Sequence, residues 1–233
     1  MANKTKGSAR TSVEGINDSL SSIEQKLENN QKYIYYALIA VAVVILAVGG
    51  YLWYRSSAIE KGNKEIGKAD IQLLMYNNPD SALTLYKRVA ERNSFGPANR
   101  AAQMAATILF QKGKYDEALK YLKKSKPEGD VAGPAMKSLE GDCYVNKSQA
   151  KGGKQYYNEA LSAYDEAIKL AGDNENYTPV FMLKKATVLH ANAKYADELK
   201  VYEDMKQQFP TYALQNRINL DKYIERAKAL AGK

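Results

Sequence analysis

One phrase returns four times, in the same order, along residues 60–231, and it constrains the fold more than any other feature of the chain. In its clearest copy, from Ala101, the sequence reads AAQMAATILFQKGKYDEALKYLKKS. Gly113, Tyr115, Ala118 and Leu122 stand where one helix would close and the next would pack back against it. Small side chains at such a crossing let two helices approach, and a large residue one turn on fills the space beside them. Asn77 to Arg92 repeats the second half, with Ala82, Tyr86 and Ala90 in register and Pro79 suited to a first helical turn. A third copy supplies Gly141 and Tyr144, then Ala160, Tyr164 and Ala167. The fourth places Tyr195, Tyr202 and Pro210, but carries Glu198 where the others have alanine, so this helix pair is expected to sit slightly apart. Ala, Leu, Lys, Glu and Tyr are plentiful and only six prolines occur, which favours helix over strand throughout.

The phrase resembles the tetratricopeptide family, whose unit of about 34 residues is a pair of antiparallel helices. The anchors Ala82, Ala118, Ala160 and Glu198 are spaced more widely than that, with the surplus assigned to loops. The longest is NKSQAKGGKQYY from Asn146, which Gly152 and Gly153 would make mobile. The expected fold is an all-α solenoid of tetratricopeptide type ending in a C-terminal capping helix. Leu214, Ile218, Leu220 and Ile224, near helical spacing, would form that cap. In such an array the first helices line a concave surface. Register names its residues here: Arg100, Gln103 and Thr107, then Asp142 and Asn146, then Lys184, Thr187 and His190. A mixed polar lining of this kind suits an extended peptide held by several weak contacts. It lacks the regular Lys and Asn set with which some relatives clamp a terminal carboxylate.

Ahead of the repeats, from Tyr33 to Tyr54, the chain reads YIYYALIAVAVVILAVGGYLWY, with no charge between Lys32 and Arg55. As a helix this stretch rises about 33 Å, against a hydrocarbon core of about 30 Å. Tyr33, Tyr35 and Tyr36 at one end and Tyr51, Trp53 and Tyr54 at the other suit the headgroup boundaries. A cleaved signal peptide is the rival reading, since Ala47 and Gly49 could precede a cut, but residues 1–32 are too long for an n-region and bulky rings follow at once. The expected organisation is a short soluble segment at 1–32, a transmembrane helix at 33–54 and the repeat domain at 55–233. Within the first segment Val13, Ile16, Leu20, Ile23 and Leu27 follow helical spacing, and Thr11 with Glu14 fits a capping box. Arg55, Lys61, Lys64 and Lys68 after the span outnumber Lys26 and Lys32 before it, which taken alone would leave the large domain in the cytoplasm.

Chemistry finds little purchase in this sequence, and no enzyme is expected. The single histidine, His190, has no second ligand nearby and reads as a lone exposed side chain. The single cysteine, Cys143, reads as a packing residue. Gly152 to Lys154 lacks the flanking residues of a phosphate loop. No catalytic, metal or cofactor residue is assigned, and no cofactor is expected. The net charge of +8 is too diffuse for a nucleic-acid groove. Lys112, Lys114, Lys120, Lys123, Lys124 and Lys126 form a run that Asp116 and Glu117 interrupt; a solvated helix face is the simpler account, an acidic partner or lipid headgroup the alternative.

The layout as a whole resembles the YfgM-like ancillary subunits of the bacterial Sec translocon. That resemblance implies a scaffold anchored in the inner membrane through Tyr33 to Tyr54, with its repeats in the periplasm. Its partners would be translocon subunits, a membrane-anchored chaperone of the prolyl-isomerase type and secretory chains. The basic residues after the span favour the alternative, a cytoplasm-facing membrane adaptor.

Overall fold

The structure is a computed structural model and describes residues 30–92, 95–150 and 155–232. The amphipathic segment from Val13 to Leu27, with Thr11 and Glu14, and the glycines of the long loop, Gly152 and Gly153, lie outside the described residues. Every regular element among the described residues is a helix. The chain divides into two compact units between Ser57 and Ala58.

In the first unit, helix α1 (Gln31–Leu74) begins and carries the uncharged stretch. It is long and apolar enough to cross a membrane: an 18-residue window has a mean hydropathy of 2.2, and none of it is buried. Leu46 and Trp53 are among the large apolar side chains left exposed.

The second unit starts with the last turns of α1, where Gly62, Ile66 and Ala69 are buried. Helices α2 (Pro79–Arg92), α3 (Gly96–Gln111), α4 (Tyr115–Lys124) and α5 (Ala132–Ala150) follow. After them come α6 (Tyr157–Ala171), α7 (Thr178–Ala191), α8 (Tyr195–Gln208), α9 (Pro210–Gln215) and α10 (Leu220–Leu230). Packing runs along the chain: from α2 onward each helix meets the next through to α8, α3 also touches α5, and α8 carries both α9 and α10. Such neighbour-to-neighbour packing is what a repeat array requires, because each pair buries its apolar face only against the pairs beside it. The anchors do the burying, with Ala82, Tyr86, Ala118, Ala160, Tyr164 and Ala167 all in the interior.

Two turns show how the helix pairs close. Between α3 and α4 the amide of Lys114 donates to the carbonyl of Leu109, and Gly113 adopts φ 72°. Between α7 and α8 the amide of Lys194 donates to the carbonyl of Leu189, with Ala193 at φ 56°. Both are left-handed helix ends, which glycine adopts freely and alanine only under strain.

At the C-terminus the expected single capping helix is two. The chain breaks after Gln215, Arg217 turns left-handed at φ 55°, and the Asn219 side chain caps α10 by accepting from the Lys222 amide. Leu220 and Ile224 pack inward as expected, whereas Leu214 is 81% exposed and takes no part in the seal. Helical spacing across the whole segment concealed the break, although Asn216 and Asn219 favour turns and caps over helix interiors.

Candidate functional site

The polar residues assigned to the first helices are placed by α3, α5 and α7. Arg100, Gln103 and Thr107 follow one another by three and four on α3, Asp142 and Asn146 by four on α5, and Lys184, Thr187 and His190 by three on α7. Those spacings put each set on one face of its helix.

Much of this set is bound inside the protein. Arg100 reaches back to the end of α1, where its Nη2 donates to Asp70 Oδ2 at 2.8 Å. The hydroxyl of Tyr86, from α2, donates to the other oxygen of the same carboxylate. Two repeat pairs further on the arrangement recurs. Tyr164, from α6, donates to Asp142 Oδ1 at 2.7 Å, and Lys184, from α7, donates to Asp142 Oδ2 at 2.6 Å and to Ser138 at 3.0 Å. Each time a first-helix aspartate takes a tyrosine from its own unit and a cation from another first helix. Burial, aided by the aspartate, pushes both phenols well above the usual tyrosine range. They are therefore donors over the whole working pH range.

The third acidic centre is Glu198, and its partners correct one expectation. It is fully buried on α8. Its oxygens meet His190 Nδ1 at 2.8 Å and Arg226 Nη2, from α10, at 3.1 Å. A carboxylate can be buried at this cost only when both oxygens are satisfied. His190 is consequently not a lone exposed side chain: 37% of it remains accessible, and its ring also packs edge-on against Tyr195.

Four positions are less committed. Thr107 and Thr187 bond only to backbone carbonyls of their own helices, and Asn146 bonds to the carbonyl of Asp142 and to the Tyr115 hydroxyl. Gln103 lies between Arg100 and Thr107, half-buried. Thr187 and His190 share a cavity of about 380 Å³ with Leu183, Tyr202, Tyr223 and Arg226. Tyr202 and Tyr223 stack in it with centroids 5.5 Å apart, and burial raises the Tyr202 phenol to about 12. Arg100, Gln103 and Thr107 line no part of this cavity. Among the described residues no three His, Cys, Asp or Glu side chains converge as metal ligands.

The sequence reading missed Asp70, Glu198 as an ion-pair centre, and Arg226. A signal for the first existed: Asp70 and Asp142 each follow the small residue of a first helix, Ala69 and Gly141.

The fold is thus an all-helical array of paired helices with a polar ladder joining the pairs. Residues 72–175 match the family model described as a tetratricopeptide repeat-like domain. No curated protein matches the chain, and no solved structure does. A tetratricopeptide repeat-like domain at residues 72–175 makes the protein a candidate protein-binding scaffold, since repeats of this class serve chiefly to hold other proteins.

Proposed function

We propose that this protein is a membrane-anchored scaffold whose first-helix face holds extended segments of other proteins. The observation that carries this reading is the placement of polar side chains on α3, α5 and α7 within the repeat-like domain and the helix pair that follows it. Arg100, Asp142, Lys184 and His190 brace the helix pairs, while Gln103, Thr107, Asn146 and Thr187 remain to contact a partner. The anchor is Tyr33 to Tyr54, which contacts lipid directly; the exposed apolar window of α1 supports this assignment. In the finer form of the proposal, suggested by the likeness of layout to the YfgM-like proteins, the repeats face the periplasm from the bacterial inner membrane. There they assist the Sec translocon and a membrane-anchored chaperone with secretory chains.

A photo-crosslinking amino acid placed at Gln103, Thr107 or Thr187 of the full chain in intact membranes tests the face and its partners together. Capture of translocon subunits or secretory chains at these positions supports the proposal. Capture only from positions on other faces refutes the groove.

The second reading, a cytoplasm-facing adaptor, is favoured by Arg55, Lys61, Lys64 and Lys68 beyond the span. Protease added to spheroplasts separates the two, because a periplasmic repeat domain is digested and a cytoplasmic one is spared.

A further inference from the structure

A second concave site lies apart from the first-helix ladder. Helices α4 and α5 and the start of α6 border an open cavity of about 490 Å³, within the range of natural ligand pockets, about 300–1,000 Å³. Tyr144 and Tyr156 form one side of it, stacked with centroids 6.2 Å apart and planes at 28°. Lys120, Lys123 and Lys147 bring positive charge, and Leu119 supplies an apolar patch.

The three lysines are not equivalent. Lys147 is committed: its Nζ is 2.5 Å from Asp116 and sits 4.4 Å from the centre of the Tyr156 ring. Lys112 and Lys114, earlier in the same basic run, are also paired, with Asp80 and Glu117. Lys120 and Lys123 differ, for among the described residues neither has a carboxylate within ion-pair distance, and both are exposed. What surrounds them is aromatic: Lys120 lies 6.0 Å from the Tyr121 ring and Lys123 5.8 Å from that of Tyr144. Two exposed ammonium groups without a carboxylate partner thus stand at the mouth of a cavity lined by Tyr144 and Tyr156.

The charge pattern selects the occupant. A uniform polyanion, such as a phosphate backbone or an anionic lipid surface, would place negative charge against Asp116 and Glu159, which also line the cavity. Like charges that close oppose binding. A peptide does not suffer this, since its carboxylates are discrete and its backbone amides can donate to Asp116 and Glu159. Stacked tyrosines complement an aromatic side chain, and aromatic pairs contribute about 0.5–1.5 kcal/mol beyond buried area.

We propose that this cavity binds a short acidic segment of a partner protein. One aromatic side chain of that segment lies against Tyr144 and Tyr156, and neighbouring Asp or Glu carboxylates meet Lys120 and Lys123. The site is separate from the first-helix face and stands or falls independently of the anchor and its orientation.

The test uses the full chain in zwitterionic nanodiscs and a fluorescent probe peptide of glutamates flanking one phenylalanine, read by anisotropy. The expected result is saturable binding that weakens with salt, and at least tenfold weaker binding when the probe's glutamates are replaced by glutamine. Lys120→Gln with Lys123→Gln should lower affinity about tenfold or more, corresponding to about 1.4 kcal/mol. Lys124→Gln with Lys126→Gln removes the same charge outside the cavity and should leave affinity within twofold. Both double variants change exposed side chains, and unchanged far-ultraviolet circular dichroism verifies their folds. Three outcomes overturn the proposal: no binding of the probe, equal losses in the two variants, or competition by polyphosphate or phosphatidylglycerol vesicles as effective as that by unlabelled probe.

Discussion

Gly141 is where the packing of one repeat can be tested with a single methyl group. A Cβ built there would lie 2.5 Å from Cε1 of Tyr164 and 2.8 Å from both Cδ1 and Cζ. Ordinary carbon contacts are about 3.5–4.0 Å, so something must move. The ring is poorly placed to yield, being almost fully buried, with its hydroxyl bound to Asp142 and that carboxylate bound in turn to Lys184. Overpacking of this kind costs about 1–3 kcal/mol, and a weakened hydrogen bond to a charged acceptor adds about 1–2. Alanine returns about 0.5–1 kcal/mol as the better helix former. Gly141→Ala should therefore destabilise by about 2–3 kcal/mol, or lower Tm by roughly 4–12 °C for a domain of this size. Thermal and urea unfolding of the full chain in mild detergent, followed by circular dichroism, measures this. The decisive arm is Tyr164→Leu, which removes the obstructing ring atoms; in that background Gly141→Ala should become neutral or mildly stabilising. A Gly141→Ala variant as stable as the parent, or an equal loss in both backgrounds, refutes the packing argument.

The two matched turns predict opposite signs. Ala193→Gly should stabilise by about 0.5–1 kcal/mol by relieving left-handed strain, and Gly113→Ala should destabilise by about 1, both read from urea midpoints. Glu198→Gln keeps the shape but removes the charge shared by His190 and Arg226; a loss of about 1–3 kcal/mol is expected in the same assay, and no loss would mean that the buried pair is dispensable. Alkaline pH provides the last prediction. Burial pushes the Cys143 thiol up to about 12 and, together with neighbouring carboxylates, raises the phenols of Tyr86, Tyr121, Tyr164 and Tyr202. These groups hold their protons more tightly folded than unfolded, so stability is intact below pH 9 and falls as pH rises through 9–10 and beyond. Unfolding midpoints across that window should show the decline, and Cys143 should react with a disulfide reagent at pH 8 only after unfolding.

Local chemistry made the repeats legible. Ala82, Ala118 and Ala160 mark helix crossings because a larger side chain would hold the backbones apart, and that requirement leaves its trace once in every repeat even where the loops differ in length. The apolar stretch of α1 was equally plain, since it depends on the absence of charge over one continuous run. The cap was read only in part: spacing identified Leu220 and Ile224, but the break at Asn216 to Asn219 depends on how α9 and α10 each fit α8. The candidate face was named in register, yet its division into bracing and unoccupied residues was hidden. Arg100 meets Asp70 and Lys184 meets Asp142 across thirty or more positions of chain.

Glu198 shows where the sequence stops. Read along the chain it interrupts a row of alanines and predicts a loosened helix pair, because an unpaired carboxylate has no place in an interior. Only the folded array brings His190 from α7 and Arg226 from α10 to its two oxygens and lets the carboxylate be buried. Periodicity along the chain determines that helices pair and in what order, since it reflects nearest-neighbour contact. Which charges neutralise one another depends on distances between helices far apart in the chain, and those exist only once the pairs have stacked.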